Sequence, residues 1–217
     1  MDFSVIDLAL VTKLLLLLLI GMGPKIALVP FLEKTKNFDA ETQRAIGRRM
    51  VIVALITALV MFALGGLLLR LLHITSGAVA VAGGIILAFL AINMVVGHGE
   101  KSVEETPAVQ GGDPTEIAIY PLAVPYLLNP VGITILIVAS DEVVSLASIG
   151  LVLGLVLLIA AFDYLIFTNI DKLAKRLNPT SLVISEVVFG ILLMAVAVQL
   201  AVSGLGSLGI IAPSTAH

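Results

Sequence analysis

Cysteine and tryptophan are both absent from the 217 residues. Without cysteine there is no disulfide, no thiolate nucleophile and no cysteine-ligated metal, and the redox compartment stays open. Histidine is scarce: His73, His98 and His217 lie far apart and none recurs at a ligand spacing, so each reads as structural and no metal or other cofactor is expected. Charge is thin as well. Asp, Glu, Lys and Arg make up 12% of the chain, about half the usual share of a soluble domain. The net charge of −3 comes with no basic patch or aromatic platform, which argues against a nucleic-acid partner.

Apolar residues fill the space these leave, at 59% of the chain, more than a water-soluble fold can hide. A helix needs about 20 apolar residues to cross the hydrocarbon of a bilayer. Six regions of this sequence meet that length, near 5–31, 47–69, 77–96, 117–139, 143–167 and 182–205. The first and fourth carry internal breaks. The first is not a secretory signal, because Asp2 and Asp7 stand where a basic cluster would be and no soluble domain follows. The chain therefore reads as an all-α membrane protein with six transmembrane helices and the lipid bilayer as its solvent.

Between the third and fourth spans, 98–115 is rich in Gly, Glu and Pro and reads as a hydrated linker between halves 1–97 and 116–217. Its acidic residues Glu100, Glu104 and Glu105 suit a solvated segment. Lys34, Lys36, Arg44, Arg48, Arg49, Lys101, Lys172, Lys175 and Arg176 all fall in loops on one side, against Arg70 on the other. This asymmetry places the basic loops in the cytoplasm and both termini outside a cell (plasma or inner) membrane.

An internal repeat is visible at an offset of 106 residues. Pro24 falls on Pro130, Arg70 on Arg176, Gly84 on Gly190, and Asn93 on Gln199; GGIILAFLAINM aligns with FGILLMAVAVQL without a gap. With three spans in each half, the halves lie in opposite orientations, the inverted-repeat plan of many secondary transporters.

The repeat singles out Pro24 and Pro130, each inside the first span of its half. Proline lacks an amide donor and collides with the preceding turn, so both spans are expected to break there. The freed backbone groups must line protein or a wet cavity. The following half-helices present N-terminal amides suited to an anionic ligand. Gly23, Pro24, Lys25, Asn129, Pro130 and Gly132 are the substrate-site candidates. Asp163, well inside the fifth span, is the candidate for coupling to a proton or sodium ion; the competing reading is a structural ion pair with Lys25 or a carboxylate kept protonated by desolvation. Glu186, Asn93 and Gln199 suit hydrogen bonds between packed helices, and Gly65, Gly66, Gly83 and Gly84 suit close helix approach. No nucleophile–base pair, metal motif or phosphate loop is present, so no catalytic residues are assigned and no enzyme is expected.

Taken together, PFLEKT (30–35), RRMVIVALI (48–56), VAGGIILAFLAINMVVG (81–97), IAIYPLAVPYLLNPVGITILIVAS (117–140) and GILLMAVAVQLAVSGL (190–205) resemble the MarC family of bacterial and archaeal integral membrane proteins, grouped with LysE-type exporters. The resemblance covers nearly the whole chain. It implies six spans, an outward N-terminus and transport of small neutral amino acids such as glycine and alanine. Two departures stand out. The first break of the family commonly reads Asn-Pro-x-Gly, whereas here it is Gly23-Pro24-Lys25-Ile26. The second often reads Gly-Pro-Gly, and here it is Asn129-Pro130-Val131-Gly132. Lys25 adds a charge where the family commonly has none, which points toward a more acidic substrate. A small polar metabolite moved by alternating access is the leading expectation. An uncoupled channel or facilitator, or a non-transporting scaffold, are the alternatives, and the oligomeric state is open.

Overall fold

A computed structural model describes residues 6–96, 113–143, 145–170 and 179–211, apart from side chains at 179–183, 185 and 186. These residues form helices and turns and contain no strand. The helices are α1 (Leu8–Met22), α2 (Pro24–Thr35), α3 (Ala40–Leu72), α4 (Ser76–Val96), α5 (Pro114–Ile117), an irregular helical segment (Ala118–Leu127), α6 (Pro130–Glu142), α7 (Leu146–Thr168) and α8 (Pro179–Ser207). Five stretches are long and apolar enough to span a bilayer, with α1 and α2 counted as one. Pro114–Leu127 and α6, bent by 69°, make up a sixth. His98, His217, Lys101, Lys172, Lys175, Arg176 and the acidic linker residues lie outside the described residues. Of the expected linker, Asp113 to Thr115 are described, and there Asp113 caps α5, so helix begins two residues early.

Local chemistry fixes the ends of the helices. Asp7 Oδ1 accepts from the Leu10 amide and starts α1. Asp39 starts α3; hydrogen bonds from the Thr42 hydroxyl first, and from the Thr42 and Glu41 amides, hold its carboxyl below the usual value. A carboxyl lowered by folding stabilises the fold above its unfolded pKa, and that contribution fades as pH falls through the lowered one. Ser145 and Ser148 start α7 with a reciprocal capping box, each hydroxyl accepting from the other's amide. His73 closes α3 in the left-handed region (φ 54°), with Ile74 N–H donating to the Leu69 carbonyl, which is the structural role expected of it.

Large apolar side chains cover the outside. Leu146 is 90% exposed, and Leu71 and Phe89 are each 65% exposed. Water would not tolerate this coat; lipid removes the penalty. Inside, helices approach through small residues, as expected where no hydrophobic force separates helix from lipid. A Cβ on Gly65 would stand 2.8 Å from Ile137 Cα, and the Gly66 amide donates to Ser140 Oγ at 2.9 Å, so α3 lies tight on α6. The antiparallel pair α4 and α8 is closest at Gly77 against Gly204, Gly84 against Ala197, and Ala91 against Gly190.

Some packing partners are exchanged by the 106-residue offset, while others are not: α6 packs on α3 and α4, and among the described residues its counterpart α2 does not pack comparably on α7 and α8. α1 lies on α6 and α7, while the irregular segment lies on α2 and α3, the elements exchanged with them by the offset. Gly84 against the Ala197 carbonyl becomes, under the same shift, Gly190 against the Ala91 carbonyl.

Candidate functional site

Gly23 is extended (φ −83°, ψ 162°) between α1 and α2, with Pro24 as the first residue of α2. No side chain caps α2 there. A Cβ on Gly23 would collide with the Leu19 carbonyl, so the tight end of α1 explains glycine at this position.

The second break is built differently. Asn129, extended at φ −87° and ψ 171° and fully buried, accepts on Oδ1 from the amides of Val131 (2.9 Å) and Gly132 (3.3 Å). The expected N-terminal donors of α6 are therefore already engaged by the side chain of the chain's own cap. Its Nδ2 donates to the Ile20 carbonyl at 2.7 Å, and its backbone amide donates to the Gly21 carbonyl at 2.9 Å. Both acceptors are in the last turn of α1, where a break leaves carbonyls without partners. Gly21 and Gly132 meet backbone to backbone, and a Cβ on either would collide with the other residue. The structure thus brings Gly23, Pro24, Asn129, Pro130 and Gly132 into one crossing.

Lys25 and Asp163 are placed apart. The Lys25 ammonium lies 3.9 Å over the Phe189 ring of α8, a cation–π contact, on an exposed side chain. The alternative ion pair with Asp163 is therefore not formed. Asp163 is fully buried in α7, and neither carboxylate oxygen has a hydrogen-bond partner among the described residues. Phe31 of α2 packs on Phe167 of α7, the rings tilted by 53° with centroids 5.1 Å apart. α3 runs antiparallel along α7, with Gly47 against Phe167 and Leu55 toward Leu157. No group of three acidic, histidine or cysteine side chains able to hold a metal occurs among the described residues.

Beside the crossing, a cavity of about 340 Å³ opens between α1, α4, α6 and α8. Its α6 wall is the stripe Val131, Thr134, Ile135, Val138 and Glu142, which starts next to the break and ends about 16 Å away at the end of the helix. Sequence reasoning left Lys13, Thr134 and Glu142 unassigned, because only the convergence of four helices puts them on one wall. Gln199 also lines this cavity; it bonds Ser203 within its own helix at 3.3 Å, not a neighbouring helix as expected, because its face of α8 borders space. Asn93 is exposed and forms no inter-helix bond among the described residues, and the Glu186 side chain is outside the described set.

Sequence comparison extends the picture. The profile of the MarC family integral membrane proteins matches residues 8–208. A UPF0056 membrane protein of Methanocaldococcus jannaschii is 28% identical over 85% of this chain and 90% of its own. One from Chlamydia muridarum is 31% identical over 77% of this chain and 78% of its own. The UPF0056 inner membrane protein YhgN of Escherichia coli K12 is 26% identical over 87% and 92% respectively. No solved structure matches. With a family profile spanning both breaks and every described helix, the chain belongs to the MarC family of integral membrane proteins.

Proposed function

We propose that the chain is a secondary transporter of small polar metabolites, small neutral amino acids first among them. It works by alternating access of two inverted three-helix repeats in the cell membrane, with both termini outside. The observation that carries this reading is the crossing itself: irregular backbone at two repeat-related positions, buried among protein and flanked by a cavity. Irregular backbone at membrane depth is tolerated where it meets protein or a wet cavity, and paired broken helices mark transporter sites. The exchange of some packing partners under the 106-residue offset supports the two-fold arrangement. The name of the E. coli relative supports an inner-membrane setting.

Asp163 is the coupling group in this scheme. A buried carboxylate with no partner among the described residues is completed by an exchangeable cation, a proton or sodium. Uptake of radiolabelled glycine, alanine and serine into proteoliposomes under imposed proton or sodium gradients tests the proposal, with Pro130→Ala and Asp163→Asn alongside. Saturable uptake that is lost in Pro130→Ala, and uncoupled from the gradient in Asp163→Asn, is the expected result. Uptake in the wild type that ignores both gradients and Asp163→Asn would mean a facilitator. Well-folded protein that moves none of the three solutes would remove the amino-acid assignment.

A further inference from the structure

The cavity beside the crossing carries more than space. Lys13 enters it from α1, Ser76 from α4, Thr134 and Glu142 from α6, and Gln199 and Ser203 from α8. Lys13 forms no ion pair among the described residues, and it sits seven residues before Ile20, the residue whose carbonyl is held by Asn129. Thr134 is 4% exposed and lines the cavity, with its hydroxyl packed against Gly83 of α4. Glu142, half-buried at the far end of the α6 stripe, supplies a carboxylate. A carboxylate has about four acceptor positions and can hold an ammonium group beside any other donor it serves.

We propose that this cavity is a binding site for a zwitterionic small molecule, with Lys13 receiving its carboxylate and Glu142 its ammonium group. Gln199 supplies neutral hydrogen bonds from the facing wall of α8. A cation and a carboxylate on separate helices, lining one chamber, match a ligand that carries both signs, whereas one that carries either alone leaves one of the two groups unmatched. At about 340 Å³ the chamber lies near the small end of ligand sites, which run from roughly 300 Å³ upward. The site rests on the transporter reading for its purpose, yet its occupancy is measurable without any transport.

The absence of native cysteine makes that measurement direct. With Ser203→Cys as the sole thiol, its alkylation rate in purified protein is followed with glycine, L-alanine or L-serine, and separately with ethylamine or propionate. Zwitterions are expected to slow alkylation in a saturable way, and the single-charge compounds are not. Lys13→Gln and Glu142→Gln are each expected to raise the half-protecting concentration about tenfold, the usual loss for one charge-assisted hydrogen bond. Gln199→Leu, which removes a neutral donor and acceptor, raises it less. Equal protection by propionate or ethylamine, or protection unchanged by Lys13→Gln and Glu142→Gln, overturns the proposal. Absence of protection by any zwitterion overturns it too, even where proteoliposomes show uptake. Protection without uptake leaves the site standing and sinks the transporter reading instead.

Discussion

At Asn129 one side chain serves both breaks: its oxygen caps α6 and its nitrogen holds the end of α1. Asn129→Ala frees two amides and one carbonyl at a fully buried position. The expected loss is about 1–3 kcal/mol, seen as a lower thermal midpoint in detergent than the parent. Asn129→Ser keeps an N-cap oxygen but cannot reach across, so it should fall between the two, and equal midpoints for Asn129→Ala and wild type would refute the bridging role. The importance of the Asn-Pro pair was legible in the sequence, since the repeat aligned Pro130 with Pro24. Its bridge to Ile20 was not, because the bond joins residues 109 apart that only tertiary packing brings together. Lys13 shows the same limit: read along one helix it is a stray charge in an apolar run, and its chamber exists only once three other helices surround it.

Among the elements, spans are what hydropathy reads well, and all six regions correspond to helices. The interior of the fourth is where the pattern underdetermined the fold. Pro121 and Pro125 push Tyr120 (φ −133°, ψ 130°) and Val124 (φ −134°, ψ 125°) into extended backbone, so this span is irregular well before Pro130. The signal was present in YPLAVPYLLNP, since a residue preceding proline is driven out of the helical region. Pro30, by contrast, stays within α2. Glycine at helix contacts gives a cleaner element-scale prediction. Gly204 would place a Cβ 2.6 Å from the Gly77 carbonyl, and Gly84 one 2.7 Å from the Ala197 carbonyl. Gly204→Ala and Gly84→Ala should each destabilise by about 1–3 kcal/mol, whereas Gly150→Ala, which meets nothing within 4 Å, should be neutral or stabilising in thermal unfolding.

For the molecule as a whole, the charges divide between two ends. Arg70 approaches Asp141 at 3.7 Å on the face shared by Glu142, Ser76 and Ser207, while Lys34, Lys36, Arg48 and Arg49 gather on the opposite face. A chain without cysteine permits a direct test of sidedness in intact cells. Single cysteines at Ser76 and Ser207 should react with a membrane-impermeant maleimide added outside, and one at Asn37 should react only after the membrane is opened. The reverse pattern would invert the orientation drawn from the basic loops.

The backbone contact between Gly21 and Gly132 has a mechanical meaning. With no side chain between them and Asn129 bonded across, α1 and α6 are pinned together at this point, and turning about it disturbs the contact less than sliding would. The crossing is then a fulcrum, and α6, 13 residues and about 20 Å long, is a lever arm anchored at one end. A turn of roughly 10° carries the far end of that arm about 3 Å, the width of a water molecule, while the fulcrum itself hardly moves.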